Sequence, residues 1–234
     1  METLRLAEVA AVLADPSRAT MCLALIDGRA WTVGELAKAA AIAPSTASEH
    51  VRKLIDAGFV ATVRQGRHRY VRLADQRVAE LIERLSEHAE LSAPRTLRAS
   101  LRVRRLAFAR TCYDHLAGRL GVALRDGMLR TGLFDRTAGL AMTEDGTRVF
   151  AELGVPLPAN GHRPLLKDCL DWTERREHLS GTAPAALLAH AIADGWLDRD
   201  PHRAVRLHER ARKPLALLGV QLDELVAQPY SFSA

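Results

Sequence analysis

Residues 43–60, "APSTASEHVRKLIDAGFV", decide how the first part of this chain folds. The stretch opens on Pro44 and the small hydroxyl residues Ser45, Thr46 and Ser48. It continues with Val51, Leu54 and Ile55 at helical spacing and closes on Gly58 before a short apolar run. Ser45 opens a helix here as its cap, and an apolar stripe at intervals of three and four gives that helix one face to bury. What remains outside is short, polar and unobstructed at the helix start. The question is whether that end is an ordinary solvated surface or one that reads nucleic acid.

The neighbouring segments bear on the answer. Upstream, "WTVGELAKAAA" (31–41) places Thr32 three residues before Glu35, a capping box that opens a helix. Before it, "DPSRA" offers Asp15 as N-cap and Pro16 as the first residue of a helix running to about Ile26, where Asp27 and Gly28 stop it. Leu4, Val9, Val12 and Leu13 predict a first helix over residues 4–13. Downstream, "FVATVRQGRHRYVRLA" (59–74) alternates on either side of Gln65 and Gly66, as a hairpin does. Residues 75–91, with Val78, Leu81, Ile82 and Leu85 on one stripe, predict a further helix.

Two consecutive helices joined by a tight turn, then a hairpin, make a helix-turn-helix with a wing. Leu36, Ala37, Ile42, Val51 and Leu54 pack the two helices together. The second helix of such a unit places its N-terminal end against base edges in the major groove. The candidate DNA-binding residues are therefore Ser45, Thr46, Ser48, Glu49, His50, Arg52 and Lys53 on that helix. Arg64, Arg67, His68 and Arg69 join them at the hairpin tip, within reach of phosphates. Residues 43–72 hold six arginines and lysines against two acids. Glu49 belongs at a groove only if it accepts from a cytosine amino group, and otherwise offsets Arg52 or Lys53. His50 reads as a packing or phosphate-contacting residue.

In its first 91 residues the chain resembles the ArsR-type winged-helix regulators of bacteria. The likeness is carried by "LADPSRATMCLALIDG", "TVGELA", "APSTASEHVRKLIDAGFV" and "RQGRHRYVRLAD", in that family's order and spacing. The resemblance implies a homodimer built on the first helix (about 3–14) and the helix after the wing (75–91). It also implies binding to a partly palindromic operator in double-stranded DNA and release by an effector, as a repressor. Family members that sense soft metals carry a Cys-x-Cys pair on the third helix, where this chain has Val33, Gly34, Glu35 and Leu36. The zinc-type site on the last helix is broken as well: Asp75 and His88 are spaced correctly, but Arg77 and Leu91 occupy the other two places. An arginine beside a cation opposes it.

The chain as a whole has 234 residues, 48% of them apolar, a formal net charge of +5 and an isoelectric point near 9.5. That excludes fibrous and disordered classes and favours a polyanionic partner. Cys22, Cys112 and Cys169 are an odd and widely spaced set, unlike a disulfide framework, and point to a reducing cytoplasm. Charges at Glu2, Arg5, Glu8 and Asp15 interrupt any signal-peptide core. No apolar run approaches the ~20 residues of a membrane helix, and no membrane partner is expected.

Near Pro94 the composition shifts: residues 92–110 contain six arginines and no acid, which reads as a basic linker helix. Beyond it, residues 115–135 align without a gap to residues 178–198 with seven identities, among them His115 with His178, Gly118 with Gly181 and Gly132 with Gly195. The expected organisation is a winged helix-turn-helix domain over 1–91, the linker over 92–110, and two repeats over 111–157 and 158–234. The fold class is mainly α (α+β), with a duplicated, winged-helix-like extension.

For the effector, several readings stand side by side. Cys112 with His115 and Cys169 with His178 would suit a soft or borderline metal if the two copies pack face to face. The thiols could instead sense redox state, or all four residues could be structural, with the histidines starting helices. A small organic effector walled by Tyr113, Trp172 and Trp196 is a further reading, as is a DNA contact by the arginine run. A different class of function is an enzyme with Cys112 as nucleophile and His115, three residues on along a helix, as base. No phosphate loop, HExxH or GxSxG motif accompanies it. An architectural chromatin protein is the remaining alternative.

Overall fold

The computed structural model describes residues 6–66, 68–88, 97–158, 163–200 and 203–227, with the side chains of 87–88 and 97–100 left aside. The chain divides into two compact units, Met1–Leu85 and Ser86–Ala234. The boundary expected near Pro94 falls within residues 89–96, outside the described residues, as do Leu4 and Leu91 of the expected first and fifth helices.

The first unit runs α1 (Leu6–Leu13), α2 (Pro16–Leu25), α3 (Val33–Ala39), α4 (Pro44–Asp56), β1 (Val60–Gln65), β2 (His68–Leu73) and α5 (Gln76–His88). Its helix starts are fixed locally. Asp15 accepts from the Arg18 amide at 2.9 Å with Pro16 next in line. Thr32 and Glu35 exchange both capping-box bonds, the Glu35 carboxylate accepting from the Thr32 amide at 2.7 Å. In α4 the helix starts one residue earlier than Ser45, at Pro44, with Ala43 as an N-cap that makes no side-chain bond. Proline has no amide hydrogen to satisfy there, so Ser45 and Thr46 fall inside the first turn with their hydroxyls spare.

The wing pairs antiparallel from Val60↔Leu73 to Gln65↔His68. Gln65, expected in the turn, still belongs to the ladder, and Gly66 beyond it takes a left-handed φ of +58°. Trp31 exchanges backbone hydrogen bonds with Val71 and so ties the entry of α3 to the wing. Beneath these elements Leu25, Leu36, Ala47, Leu54 and Val71 are fully buried.

The second unit begins with α6 (Leu97–Phe108) and then passes twice through hairpin, helix, hairpin, helix. The first pass is β3 (Arg110–Cys112), β4 (His115–Ala117), α7 (Gly118–Arg130), β5 (Phe134–Asp135), β6 (Ala141–Met142) and α8 (Glu144–Glu152). The second is β7 (Lys167–Leu170), β8 (Glu177–Ser180), α9 (Thr182–Ala193), β9 (Leu197–Arg199), β10 (Val205–Leu207) and α10 (Arg212–Leu217), followed by α11 (Leu222–Ala227). The helices are crossed over: α7 packs on β8 of the second pass and α9 on β4 of the first. Leu120, Leu124, Phe134, Leu187, Leu188 and Trp196 fill the shared core.

Matched glycines make this packing feasible. Gly118 and Gly181 take φ of +76° and +114° where α7 and α9 begin. A Cβ would meet the Ala107 carbonyl at 2.7 Å in the first case and the Leu165 carbonyl at 2.5 Å in the second, so each position excludes any side chain. The leading hairpins, β3–β4 and β7–β8, differ from the expectation that His115 and His178 start helices. Strands of three or four residues carry too little alternation to register as strands. Their turns also place Tyr113 (φ 61°) and Arg175 (φ 52°) in the left-handed region without glycine. Within the expected linker, Arg110 is wholly buried, and Arg105 pairs with Asp200 at 3.0 Å.

Candidate functional site

Two groups of residues carry chemistry. On the first unit, α4 buries Ala47, Val51 and Leu54 and leaves Ser45, Thr46, Ser48, Glu49, Arg52 and Lys53 exposed. Ser48 spends its hydroxyl hydrogen on the Pro44 carbonyl at 2.9 Å, which leaves its oxygen as an acceptor. His50 differs from its neighbours. Its ring turns toward α2, with Nδ1 3.5 Å from the Arg18 guanidinium and 3.9 Å from Asp15, so it holds α4 against α2.

Across the wing, Arg64 stands directly opposite Arg69, and Gln65 opposite His68, all four exposed. Like charges facing each other on a hairpin repel, by a few tenths of a kcal/mol to ~1 kcal/mol, and a polyanion relieves that cost. Arg67 lies outside the described residues. The zinc-type position Asp75 is committed to structure: its carboxylate accepts from the Val78 amide at 3.0 Å and caps α5, with Arg77 3.5 Å away. His88 has no described side chain.

On the second unit the two hairpins bring together all four residues singled out from the repeats. Cys112 pairs across the ladder with His115, and Cys169 with His178. One ligand atom from each of the four lies within 4.8 Å of every other. Cys112, His115 and His178 are buried at 3%, 1% and 1% exposure, with Cys169 half-buried. The two Nε2 atoms face each other at 3.2 Å. Cys112 and His115 are thus partners across a hairpin, not neighbours along a helix.

Residues that the sequence did not mark as functional build the surroundings. His115 Nδ1 lies 3.3 Å from Asp114, and His178 Nδ1 lies 3.3 Å from Asp171. Arg163 grips the Asp114 carboxylate with two nitrogens. Asp171, fully buried, accepts from the Gly118 amide at 2.6 Å and from the Thr173 hydroxyl at 2.7 Å, and pairs with Arg110 at 3.0 Å. Arg110 in turn lies over the Trp172 ring at 4.7 Å. Arg125 on α7 clamps the second hairpin by binding Asp168 at 2.6 Å and Glu177 at 2.9 Å.

Burial alone would raise the Asp114 carboxyl, but the hydrogen bonds from Arg163 and His115 override it and hold it at about 2. Burial would likewise raise Asp171, yet the His178 ring and Arg110 keep it well below the usual carboxylate range. Desolvation pushes His178 down, and the bonds to Asp171 and Cys112 reverse that and favour its protonated form. The only sequence signal for these carboxylates is their place beside each Cys–His pair. The three aromatic residues considered as pocket walls do other work: Trp196 is core, Trp172 stacks under Arg110, and Tyr113 sits in the turn between β3 and β4.

The helix-turn-helix and wing define a class, and comparison with known proteins agrees with it. The family described as "Helix-turn-helix domain" matches residues 13–63. The chain belongs to the HTH-type transcriptional regulators: it is 38% identical over 211 residues to "Uncharacterized HTH-type transcriptional regulator YdfF" of Bacillus subtilis (strain 168), spanning 88% of this chain and 93% of that protein. The match therefore takes in the greater part of the second unit as well as the first. Solved structures also align. The transcriptional repressor BigR from Xylella fastidiosa is 26% identical over 37% of this chain and 88% of its own, with a TM-score of 0.34. The cadmium metal-sensor CMTR from Mycobacterium tuberculosis is 29% identical over 38% and 94%, with a TM-score of 0.30. Among the described residues no helix is long and apolar enough to cross a membrane.

Proposed function

We propose that this chain is a sequence-specific, double-stranded DNA-binding transcriptional regulator that acts as a homodimeric repressor released by an effector. One observation carries the reading: α4 buries its apolar stripe and exposes Ser45, Thr46, Ser48, Glu49, Arg52 and Lys53, while the same unit exposes Arg64, His68 and Arg69 on its wing. In this reading the short side chains of α4 meet base edges and the wing cations meet phosphates. His50 supports the helix from behind.

The domain division follows the same logic: the first unit binds DNA and dimerises, and the duplicated second unit serves regulation. Exposed Leu6 and Val9 on α1 and exposed Leu81 and Leu85 on α5 support dimerisation through those helices. The three free thiols support a cytoplasmic setting. The enzyme reading has less support, since Cys112 is closed in by protein on a hairpin, with a second thiol and two imidazoles around it.

The test is selection of fragments bound from the host's genomic DNA by the full-length protein, followed by salt titration on the enriched site and on random DNA. A regulator enriches a partly palindromic site and binds it ~10³-fold or more tighter than random sequence, with an affinity that falls steeply as salt rises. Equal, weak binding to every sequence overturns the reading and favours an architectural role.

A further inference from the structure

We propose that Cys112, His115, Cys169 and His178 form a closed tetrahedral centre for a divalent ion of the zinc class, one cross-strand Cys–His pair coming from each hairpin. Three features of the cluster converge on it.

The first is the donor set. Two sulfurs and two imidazole nitrogens lie mutually within 4.8 Å, the span of four ligands around one ion with metal–sulfur bonds near ~2.3 Å and metal–nitrogen bonds near ~2.0 Å. The thiolate-plus-imidazole mixture selects a borderline ion over calcium or magnesium, which take oxygen ligands.

The second is the orientation of the rings. Each Nδ1 faces a carboxylate, Asp114 or Asp171, and carboxylates accept, so Nδ1 carries the hydrogen on both rings. That aims the two Nε2 atoms at each other at 3.2 Å, where they share the one proton that the protonated His178 would bring. A metal ion that displaces this proton finds both nitrogens already in place, since the separation is also that of two ligands on one ion. The carboxylate–histidine arrangement is the one that fixes ring and tautomer at metal sites generally.

The third is charge. Asp114 and Asp171 are already neutralised by Arg163 and Arg110. Ion binding releases to solvent the protons of the two thiols and the one shared by the histidine pair, and the two thiolates then cancel the divalent charge. The filled site is neutral, as a buried site must be. With four protein donors and no open position it clips the two hairpins together and does no catalysis. The assignment is independent of the DNA-binding reading, and either can fail alone.

The test uses full-length protein stripped of metal under reducing conditions and titrated with Zn²⁺ and, separately, Co²⁺. One ion per chain is expected, with the intense visible bands of tetrahedral Co²⁺, a near-ultraviolet thiolate band, and displacement of cobalt by zinc. Cys169→Ser, at the half-buried ligand, weakens Zn²⁺ binding at least ~10-fold, and Asp114→Asn weakens it roughly 10–100-fold. Cys22→Ser leaves it unchanged. Cys169→His keeps four donors, and so retains the tetrahedral cobalt bands while losing half the thiolate band, which separates loss of a ligand from loss of fold. An octahedral cobalt spectrum, binding that survives Cys169→Ser undiminished, or a reduced protein that takes up neither ion while the two cysteines form a disulfide on oxidation would each overturn the assignment.

Discussion

At the scale of single residues, the wing and the helix caps make different kinds of claim. Arg64 and Arg69 face each other without an intervening acid, so each is available to one phosphate. Replacing both with alanine should lower the slope of log affinity against log salt by about 1.8 per subunit, at ~0.9 for each phosphate no longer neutralised, and weaken all sequences alike. Changing Thr46 to alanine should leave the slope unchanged and narrow the gap between operator and random DNA. Fluorescence anisotropy across a salt series reads both outcomes, and a reversed pattern would exchange the assigned roles. Asp15 acts on stability instead. Its carboxyl is held below its usual value chiefly by the bond from the Arg18 amide. A depressed carboxylate contributes above its unfolded pKa and loses that contribution as pH falls through the folded one. Asp15→Ala should therefore cost about 1 kcal/mol at neutral pH, and the difference should vanish well below pH 3.8 in denaturant melts. Burial pushes the Cys22 thiol up to about 12, so in the native protein it should resist alkylation at pH 8 and react on unfolding, as mass spectrometry can follow.

At the scale of elements, legibility depends on whether the signal is local. The Asp15–Pro16 start and the Thr32–Glu35 box are readable because both partners of each bond lie within three residues. The start of α4 lies one residue before the serine expected to cap it, since serine is the commoner cap and only the backbone reveals that Ala43 holds that place. The short hairpins β3–β4 and β7–β8 leave no comparable signal, because their pairing and left-handed turns are set by the helices that cover them. Their dependence on close packing is testable at Gly118. With φ at +76° and the Ala107 carbonyl 2.7 Å from a prospective Cβ, Gly118→Ala should destabilise the second unit by ~1–3 kcal/mol. Gly34→Ala, in open space on α3, should be neutral or slightly stabilising. Equal thermal stabilities for the two variants would contradict that account.

For the whole molecule, the exposed apolar residues of α1 and α5 bear on assembly. Leu6 and Leu85 are 73% and 48% exposed, and a regulator that reads a palindrome needs a two-fold partner to cover them. The double substitution Leu81→Glu with Leu85→Glu should shift sedimentation from dimer to monomer and reduce operator affinity while leaving the chain folded. A dimer that persists would move the interface elsewhere. The order of elements in the first unit, the basic wing, and the recurrence of one cysteine and one histidine in each repeat are all written in the chain itself. The meeting of those two pairs is not, and folding alone decides it. His115 and His178 are sixty-three positions apart, and only the crossing of α7 onto β8 and α9 onto β4 brings their rings face to face, with Arg110 and Arg163 recruited to neutralise the carboxylates behind them.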